Sequence, residues 1–446
     1  MNNDKKVYVE NLGCAKNQVD AEVMVASLSL DGYENVENAE DASIILVNTC
    51  GFIESARKES IDTFFALKES FPDKKILITG CLSQRYAKEL DVDLAEADGV
   101  FGNRDLAAIN SVVRKVVSGE RVIEVPEYPI IEQDYDSRGK LFNYPGSAYL
   151  KISEGCNHRC RFCAIPIIRG SLRSRPKKAV LDDALSLINS GIKEINIIAQ
   201  DLAAYGTDTE VKKSTFLDLL ESIALLDGDF VIRLLYIHPD AFPLALLDLM
   251  KKYSKILPYF DIPFQHADTK VLRRMGRTGD KETYLNLIAT IRASFPDAVI
   301  RSTFLLGFTH EDDESIEILT SFIKEAQLDY AGSFIFSVEE GTPAFNDSSE
   351  QEYIDRVKKA KTYQKKIEKL TTSITQKALQ RFVGKEMVVL IEENVEKEEL
   401  SIGRTHYQAP EVDGLTVVMG KNLIPGSYVL CGIQKVNGID LEAVAL

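Results

Sequence analysis

The residues best suited to chemistry are three closely spaced cysteines, Cys156, Cys160 and Cys163, in the stretch GCNHRCRFCAIP. This Cys-x-x-x-Cys-x-x-Cys run offers three thiolates from one loop, whereas a cubane iron–sulfur cluster takes four ligands. One iron would therefore lack a protein ligand, and an open iron can chelate a small molecule directly. The spacing predicts a 4Fe-4S site that takes part in chemistry rather than in electron relay alone.

A zinc site is the alternative interpretation of the same loop. Zinc-binding cysteines usually occur as a Cys-x-x-Cys pair followed by a second pair or by histidines. No second pair follows here, and His158, the candidate fourth ligand inside the run, lies in a loop that is already tight. We therefore favour the iron–sulfur cluster and expect His158 to be a solvated polar residue.

A second set of three cysteines follows predicted strands in the N-terminal part of the chain. Cys14, Cys50 and Cys81 come shortly after apolar runs, and each has a neighbouring glycine. The predicted strands of this region are 7–12, 43–48, 75–79 and 99–102, separated by helical patterns. Because ligands of open parallel sheets bind at the carboxyl ends of the strands, the three thiols are expected to converge. The alternative is that they are small buried residues.

Composition limits the classes of function. The chain has 446 residues, a net charge of −15 and seven cysteines. This length favours several domains, the acidic charge disfavours a general nucleic-acid binder, and the odd cysteine count favours metal binding over disulfides. The polar residues after Met1 and the absence of a long apolar run predict no secretory signal, no membrane span and a cytoplasmic location.

The middle of the chain predicts a second α/β series after a stretch at 118–145, which we interpret as a linker or a long crossing segment. Candidate strands are 148–152, 194–199, 230–237, 259–263, 298–306 and 330–337, with helical stretches between them. Six β/α units make a full or partial barrel, whose active site lies at the carboxyl ends of the strands. The first of these strands leads directly into the Cys156 loop, so we expect the open cluster at the barrel mouth.

The C-terminal part differs in its pattern. Residues 351–380 predict a long amphipathic helix, and short strands such as 387–392 and 415–419 then alternate with turn signals at 413–414, 425–426 and 437–438. This pattern predicts a small β-barrel of the nucleic-acid-binding kind. From Arg381 onward six Lys or Arg face ten Asp or Glu, which argues against RNA binding by this barrel, and Cys431 is predicted to be a buried core thiol.

These motifs resemble those of the radical S-adenosylmethionine methylthiotransferases over nearly the whole chain. The resemblance rests on NLGCAKNQVDAE around Cys14, NTCGFIESA around Cys50, TGCLSQRY around Cys81 and GCNHRCRFCAIP around Cys156. It implies an α/β multi-domain protein with a doubly wound N-terminal domain (5–121), a radical core that forms a partial (β/α)6 barrel (142–371) and a TRAM-like β-barrel (374–446).

The family has one branch that acts on adenosine in tRNA and another, the RimO branch, that acts on an aspartate of small ribosomal subunit protein twelve. The segments RLLYIHPD and DIPFQHADTKVLRRMGR resemble the ribosomal-protein branch, since the tRNA branch tends to have Ser-Gly in place of His266-Ala267. The acidic terminal barrel favours the same branch, because ribosomal proteins are basic. The tRNA-modifying enzyme is the alternative.

The resemblance also implies the cofactors and the reaction. S-adenosylmethionine would chelate the open iron of the Cys156, Cys160 and Cys163 cluster, and an electron from an external donor would release a 5′-deoxyadenosyl radical. The radical would abstract hydrogen from the β-carbon of the aspartate. The substrate would be the ribosomal protein by itself, or the same protein within the ribosome or its precursor. A second 4Fe-4S cluster, on Cys14, Cys50 and Cys81, would supply sulfur, and another S-adenosylmethionine would supply the methyl group.

A few further residues are candidates for the site. Phe162, Gln200 and Arg233 are candidate contacts of S-adenosylmethionine, with core packing, turn capping beside Asp201 and a structural salt bridge as their respective alternatives. The basic run Arg169, Arg173, Arg175, Lys177 and Lys178 predicts a solvated surface, or contact with ribosomal RNA. Thr309-His310 stands where the family often has Pro-Gly, which puts the tight turn there in doubt.

A non-catalytic iron–sulfur carrier is the competing class of function. A carrier needs fully ligated or labile clusters and no S-adenosylmethionine site. Cleavage of S-adenosylmethionine to 5′-deoxyadenosine under reducing conditions separates an enzyme from a carrier.

Overall fold

The protein is described by a computed structural model that covers residues 5–127, 138, 140–347, 349–396 and 398–446. It contains two compact units, each built from several segments. The first consists of Met1–Phe142, Lys151–His158 and Cys163–Ser186, and the second of Asn143–Leu150, Arg159–Phe162 and Leu187–Leu446. The domain ranges 5–121, 142–371 and 374–446 stay predictions. No helix in the described ranges combines the length and apolarity that crossing a membrane requires.

The strands alternate with helices through most of the chain. The strands are β1 Lys6–Asn11, β2 Glu34–Asn35, β3 Ile44–Thr49, β4 Lys75–Gly80, β5 Gly99–Phe101, β6 Val122–Glu124, β7 Ser147–Lys151, β8 Ser153–Glu154, β9 Arg173–Ser174, β10 Glu194–Ile198, β11 Val231–Leu235, β12 Tyr259–Asp261, β13 Val299–Leu306, β14 Tyr330–Ile335, β15 Glu386–Asn394, β16 Leu400–Thr405, β17 Thr416–Met419, β18 Tyr428–Asn437 and β19 Asp440–Ala445.

The α-helices are concentrated before β15. They are α1 Ala15–Leu30, α2 Glu54–Ser70, α3 Cys81–Arg85, α4 Ala87–Asp93, α5 Ile109–Val117, α6 Ile165–Ile168, α7 Lys177–Asn189, α8 Phe216–Ala224, α9 Ala245–Lys252, α10 Thr269–Arg274, α11 Lys281–Ser294, α12 Asp313–Ala326 and α13 Glu350–Leu379.

The first unit is organised around a parallel sheet of order β2-β1-β3-β4-β5-β6. Every neighbouring pair runs parallel, with Val7 opposite Ile44 and Leu77 opposite Gly99 in the register. All six residues of β3 are buried, as expected for a central strand covered on both faces. The predicted doubly wound domain is confirmed, and its core contains Ile45, Val47 and Phe64.

The edges of this sheet differ from the prediction. Strands β2 and β6 were not predicted, because two or three residues are too few to show an alternating pattern. Strand β6 lies inside the stretch 118–145 that we interpreted as a linker, so that interpretation is wrong at Val122–Glu124. Residues 128–137 and 139 of the same stretch lie outside the described residues.

The second unit contains six strands of the predicted barrel series, arranged as two three-stranded sheets of order β7-β10-β11 and β12-β13-β14. Backbone hydrogen bonds from Ile237 to Asp261 and from Leu257 to Ile232 connect the segments around β11 and β12. The described pairs β10–β11, β12–β13 and β13–β14 are parallel. The predicted partial barrel is confirmed.

A long helix and a closed barrel complete the second unit. Helix α13 begins with a capping box, in which Ser349 and Glu352 bond reciprocally, and runs for 30 residues close to the predicted range. The last strands form a closed barrel of order β15-β16-β17-β19-β18, which confirms the predicted small β-barrel. Gly438 takes a φ of +65° at the turn between β18 and β19, and Cys431 is a buried core thiol as predicted.

The second unit contains a network of buried ion pairs. Glu194 on β10 accepts from Arg233 on β11 and from Arg404 on β16, each at 2.9 Å, and Arg404 also pairs with Glu392 at 2.6 Å. Arg233 in addition donates to the backbone oxygen of His406 at 3.0 Å. The structure therefore supports the salt-bridge alternative for Arg233, and the cofactor contact we considered for it lacks support.

Replacing Arg404 with Met is expected to lower the free energy of unfolding by about 3–5 kcal/mol, because two buried carboxylates lose a partner. The matched control is Lys421→Met, whose pair with Glu399 is exposed and should contribute less than about 1 kcal/mol. Urea denaturation of both variants measures the difference, and equal small losses would contradict the prediction.

The same network has a pH signature. Burial alone would raise the pKa of Glu194, but Arg233 and Arg404 lower it from 4.5 to about 2. Its contribution to stability is therefore fully present above pH 4.5 and lost as the pH falls toward 2. The difference between the wild-type protein and Arg404→Met should shrink over that interval.

Candidate functional site

The three N-terminal cysteines lie at the carboxyl ends of neighbouring strands. Cys14 immediately precedes α1, in the connection that follows β1, and its backbone oxygen accepts from the Gln18 N–H at 3.0 Å. Cys50 directly follows β3, and Cys81 directly follows β4 as the first residue of α3. Since β1, β3 and β4 are adjacent in the parallel sheet, the three positions lie along one edge, as predicted.

Two glycines allow the ends of β3 and β4 to approach closely. Gly80 takes a φ of +95°, and a Cβ there would lie 2.6 Å from the Thr49 backbone oxygen. A Cβ on Gly51 would lie 2.6 Å from the Cys81 backbone oxygen. Any larger residue at either position would push Cys50 and Cys81 apart.

The three thiols interact electrostatically but differ in exposure. Cys14 is exposed, Cys50 is half-buried and Cys81 is buried, and no disulfide joins any of the seven cysteines, all of which are described. Burial raises the pKa of the Cys81 thiol to about 12; Arg169 opposes this shift, and Cys14 and Cys50 add to it. The three cysteines therefore share one end of the sheet, and their joint binding of one cluster stays a prediction.

The donor set fits a cluster better than a single ion. Among the described residues, no three His, Cys, Asp or Glu side chains are arranged to hold one metal ion. A cubane cluster instead binds each thiolate through a different iron, so its ligands surround it rather than meet at one point. Three soft thiol donors at one sheet edge fit that requirement, and iron binding by them stays a prediction.

Arg169 is a charged residue in hydrogen-bond contact with this site. Its guanidinium is buried and lies 3.3 Å from the Cys81 sulfur, 2.9 Å from an Asp20 oxygen and 2.7 Å from a Glu154 oxygen. It also donates to the side-chain oxygen of Asn17. A buried cation held in this way would stabilise negative charge on Cys81, whether thiolate or cluster ligand.

The carboxylates around Arg169 are shared with a second buried cation. Lys151 pairs with Asp20 and, at 2.8 Å, with Glu154, so two cations face two carboxylates. With Arg169 and Lys151 beside it, the pKa of Glu154 lies well below its usual value although burial alone would raise it. This cluster connects α1 with the segment that leads into Cys156.

The basic run after the cysteine loop is not the solvated surface that we predicted. Arg175 is buried and pairs with Asp183 at 3.0 Å, and Arg169 is buried as described above. Only the later part of the run fits the prediction, since Lys178 forms an exposed pair with Asp182. The prediction failed because the partners of Arg169 lie about 150 residues earlier in the chain or on the far side of the loop.

Two cysteines of the triplet, Cys156 and Cys163, belong to the first unit. The Cys156 N–H donates to the Gly170 backbone oxygen at 3.1 Å, and the His158 N–H lies 3.4 Å from the Cys156 sulfur. After Cys163, Ala164 and Ile168 pack with Cys81 in a small buried cluster. The segment around α6 therefore contributes both to the loop and to the surroundings of Cys81.

The third cysteine of the triplet, Cys160, belongs to the second unit. Burial raises the pKa of its thiol, and a hydrogen bond and the charge of Arg277 oppose that shift. Arg277 also donates to the Pro263 oxygen at 2.9 Å, and its guanidinium lies 6.0 Å from the ring centre of Phe162. Phe162 contacts Phe308 edge-to-face at 6.3 Å, so its core-packing alternative has support, and its contact with a cofactor stays a prediction.

The strand-end pair Gln200-Asp201 has two different environments. Asp201 is buried and accepts from the backbone N–H groups of Ala203 and His238, both at 3.1 Å, which is the turn-capping role we considered. Gln200 is half-buried at the carboxyl end of β10. It keeps its place as a predicted contact of the cofactor.

The branch-specific histidine is fully buried. The N–H of Asp268 donates to His266 Nδ1 at 3.0 Å, which leaves Nε2 directed at Glu311 at 3.5 Å. Glu311 also accepts from the Gly307 N–H at 2.8 Å. The nearby turn is retained despite the unusual sequence, because His310 takes a φ of +65° and the Glu311 N–H bonds the Phe308 oxygen at 3.1 Å.

Sequence reasoning missed several of these residues. Asn17 and Asp20 lie in the quoted motif around Cys14, and Arg277 ends the motif around His266, but none received a role. The sequence of α1 did contain a signal, because five of its first eight residues are polar or charged and leave no apolar stripe. In the structure all eight are buried. A helix start with no apolar stripe and no exposed face indicates a polar site.

Comparison with known families divides the chain into three matched ranges. It matches the uncharacterized protein family UPF0004 over residues 6–102, the Radical SAM superfamily over 150–323 and the TRAM domain over 383–446. The solved structure of the radical S-adenosylmethionine methyltransferase TsrM from Kitasatospora setae has a similar fold, with a TM-score of 0.56 and 14% identity over 78% of this chain and 76% of that one.

Full-length relatives are much closer in sequence. Proteins named ribosomal protein uS12 methylthiotransferase RimO are 42% identical in Treponema denticola and 41% identical in Syntrophomonas wolfei, each over 97% of this chain. The one from Thermotoga maritima is 38% identical over 98% of this chain. The matches cover 99%, 98% and 99% of those proteins, respectively.

Arg169→Met is expected to lower the reduction potential of a cluster bound by Cys14, Cys50 and Cys81. Loss of a cationic donor to a ligand sulfur disfavours the more negative reduced state by about 1 kcal/mol, or roughly 40 mV for one electron. Electron paramagnetic resonance during a redox titration measures the shift, in a background where Cys156, Cys160 and Cys163 are replaced with Ala.

The control for this prediction is Arg104→Met. Arg104 donates to the backbone oxygens of Ile167 and Ile168 in the same unit and is not among the described hydrogen-bond partners of sulfur. Arg169→Lys should recover part of the shift because it keeps the charge. Equal shifts in Arg104→Met and Arg169→Met would count against a specific effect of Arg169 on Cys81.

Proposed function

This chain belongs to the ribosomal protein uS12 methylthiotransferase (RimO) family, and we propose that it carries out the reaction of that family. It is a radical S-adenosylmethionine enzyme, and its reaction adds a methylthio group to the β-carbon of an aspartate in uS12. The observation that carries this assignment is the sequence similarity to relatives of that name, which extends over nearly the full length of the chain. The position of Cys14, Cys50 and Cys81 after three adjacent parallel strands supports it independently.

The six cysteines divide between two clusters in this proposal. Cys156, Cys160 and Cys163 would hold the cluster that binds S-adenosylmethionine, and Cys14, Cys50 and Cys81 would hold the second. When bound, these groups supply the radical that removes hydrogen from the substrate carbon and the sulfur that replaces it.

The surrounding side chains prepare the two sites. Arg169 and Arg277 each place a cation against one ligand sulfur, Cys81 and Cys160 respectively, which stabilises the thiolate form that iron requires. Phe162 and Gln200 are the proposed contacts of S-adenosylmethionine. Arg233, the third predicted contact, has its charge paired with Glu194, which favours its structural alternative.

The proposed substrate agrees with the charge of the chain. A ribosomal protein is basic, and the chain has a net charge of −15 with an acidic terminal barrel. A reducing electron donor is required as a further partner. Because the substrate is a component of the ribosome, we also propose that the enzyme acts in the cytoplasm.

Cells that lack this protein are expected to contain uS12 without the methylthio group, detected by mass spectrometry of the purified protein. Restoring the gene should restore the modification. Unmodified uS12 in both strains, together with loss of a methylthio-adenosine from tRNA, would assign the protein to the other branch of the family.

Cys14→Ala is expected to retain cleavage of S-adenosylmethionine and to lose methylthiolation, whereas Cys160→Ala should lose both activities. The reason is that each variant removes a ligand from a different cluster. Anaerobic assays with dithionite, which quantify 5′-deoxyadenosine and modified substrate, measure the two activities separately.

Cys431→Ala provides the matched control, because Cys431 is a buried core thiol of the terminal barrel. It should retain both activities. Equal loss of 5′-deoxyadenosine formation in Cys14→Ala and Cys160→Ala would contradict the division of work between the clusters, and no cleavage by the wild-type protein would reject the radical mechanism.

A further inference from the structure

Helix α13 carries a concentration of positive charge that is unusual for this chain. Between Val357 and Leu379 it contains a single acidic residue, Glu368, whereas the whole chain has a net charge of −15. The lysines in this stretch are Lys358, Lys359, Lys361, Lys365, Lys366, Lys369 and Lys377. The helix is therefore a local basic region on an acidic protein.

Four of these lysines share one face of the helix. Lys358, Lys361, Lys365 and Lys369 recur at spacings of three and four residues, which places them along a single stripe about 16 Å long. All four are exposed. The apolar residues of the helix, among them Ala360 and Ile367, are buried on the opposite side, so the stripe faces solvent. We call these four residues the lysine stripe.

The charge of the lysine stripe is largely uncompensated. Lys358 approaches Asp355 only at 3.8 Å, in a pair whose side chains are 73% and 63% exposed, and such pairs contribute little. Lys361, Lys365 and Lys369 take part in no ion pair among the described residues. Adjacent positive charges without partners repel one another, and a bound anion would relieve that repulsion.

We propose that the lysine stripe binds the phosphate backbone of RNA. This inference rests on the proposed function, because a ribosomal protein is presented to an enzyme on an RNA surface when it is modified within the ribosome or its precursor. A row of lysines neutralises successive phosphates without reading bases, so the contact is independent of sequence. The stripe would thereby hold the enzyme beside an RNA-bound substrate.

Other anionic surfaces fit the stripe less well. A helix that binds a membrane surface needs exposed apolar side chains next to its lysines, yet the helix exposes no large apolar residue after Ile354. The other exposed residues between Lys361 and Lys377 that are not lysines are all polar or charged: Thr362, Glu368, Thr372, Ser373 and Gln376. The substrate protein itself is basic and would be repelled by the stripe.

The stripe also replaces the RNA contact that the sequence suggested. In the run 169–178, Arg169 and Arg175 are buried in ion pairs and are not available to a polyanion. The terminal barrel is acidic. Among the positively charged segments considered, the lysine stripe alone combines exposure, regular spacing and uncompensated charge.

The test compares two variants with the same change in charge. The first replaces Lys361, Lys365 and Lys369 with Gln, and the control replaces Lys88, Lys213 and Lys324, which are exposed lysines elsewhere in the chain, with Gln. Fluorescence anisotropy with a labelled single-stranded RNA of mixed sequence measures the binding affinity. The salt concentration is varied between about 50 and 200 mM, because affinity that comes from phosphate contacts falls steeply over this range.

The stripe variant is expected to bind RNA on the order of tenfold more weakly than the control, with a log–log salt slope smaller by about 2, because each lost phosphate contact removes roughly 0.7. The control should bind like the wild-type protein. Equal binding by the two variants, or no binding by the wild-type protein, would overturn the proposal. So would equally tight wild-type binding to phosphatidylglycerol vesicles that depends on the same lysines.

A second assay separates this inference from the proposed function. The stripe variant should methylthiolate free uS12 at the wild-type rate but lose activity, roughly tenfold, on uS12 within the small ribosomal subunit. If the stripe variant modified both substrates at the wild-type rate, the role of the stripe in substrate presentation would be rejected. Failure of the wild-type protein on both substrates would reject the proposed function, while the RNA-binding result would still decide whether the stripe binds RNA.

Discussion

The first unit depends on a buried ion-pair cluster in which Arg169 and Lys151 face Asp20 and Glu154. Burying four charges costs several kcal/mol per ion unless each is paired and hydrogen-bonded, so the geometry around them tolerates little change. Arg169 uses the same guanidinium to contact Cys81. The cluster therefore ties the position of one candidate ligand to the segment preceding Cys156, which carries Lys151 and Glu154.

The second unit also contains a buried ion-pair network, which connects the terminal barrel to a strand of the partial barrel. There Glu194 is held between Arg233 on a barrel strand and Arg404 on a strand of the terminal barrel, with all three side chains at least 97% buried. A terminal barrel attached only by apolar contacts could slide, whereas paired charges fix its register on the strands. This accounts for an arginine at the centre of a strand, a position where the sequence suggested a cofactor contact.

The sequence predicted the features that depend on local pattern. The strands β3, β4 and β13, the long helix and the strand-end cysteines follow from apolar periodicity and from the rule that parallel sheets bind at one edge. It could not predict which polar residues are buried, because the partners that make burial tolerable are distant in the chain. Arg169 and Asp20 are separated by 149 positions, and a charged residue considered by itself is expected on the surface.

The distribution of charge over the chain suits a substrate that is part of a ribonucleoprotein. A uniformly acidic protein would attract a basic ribosomal protein and repel the RNA that carries it, so it would act best on the free substrate. Concentrating lysines on one face of α13 while the rest of the chain stays acidic gives separate surfaces for the two components of a ribonucleoprotein. Because both attractions weaken with salt, recognition of the assembled substrate should depend on ionic strength more steeply than recognition of the free protein.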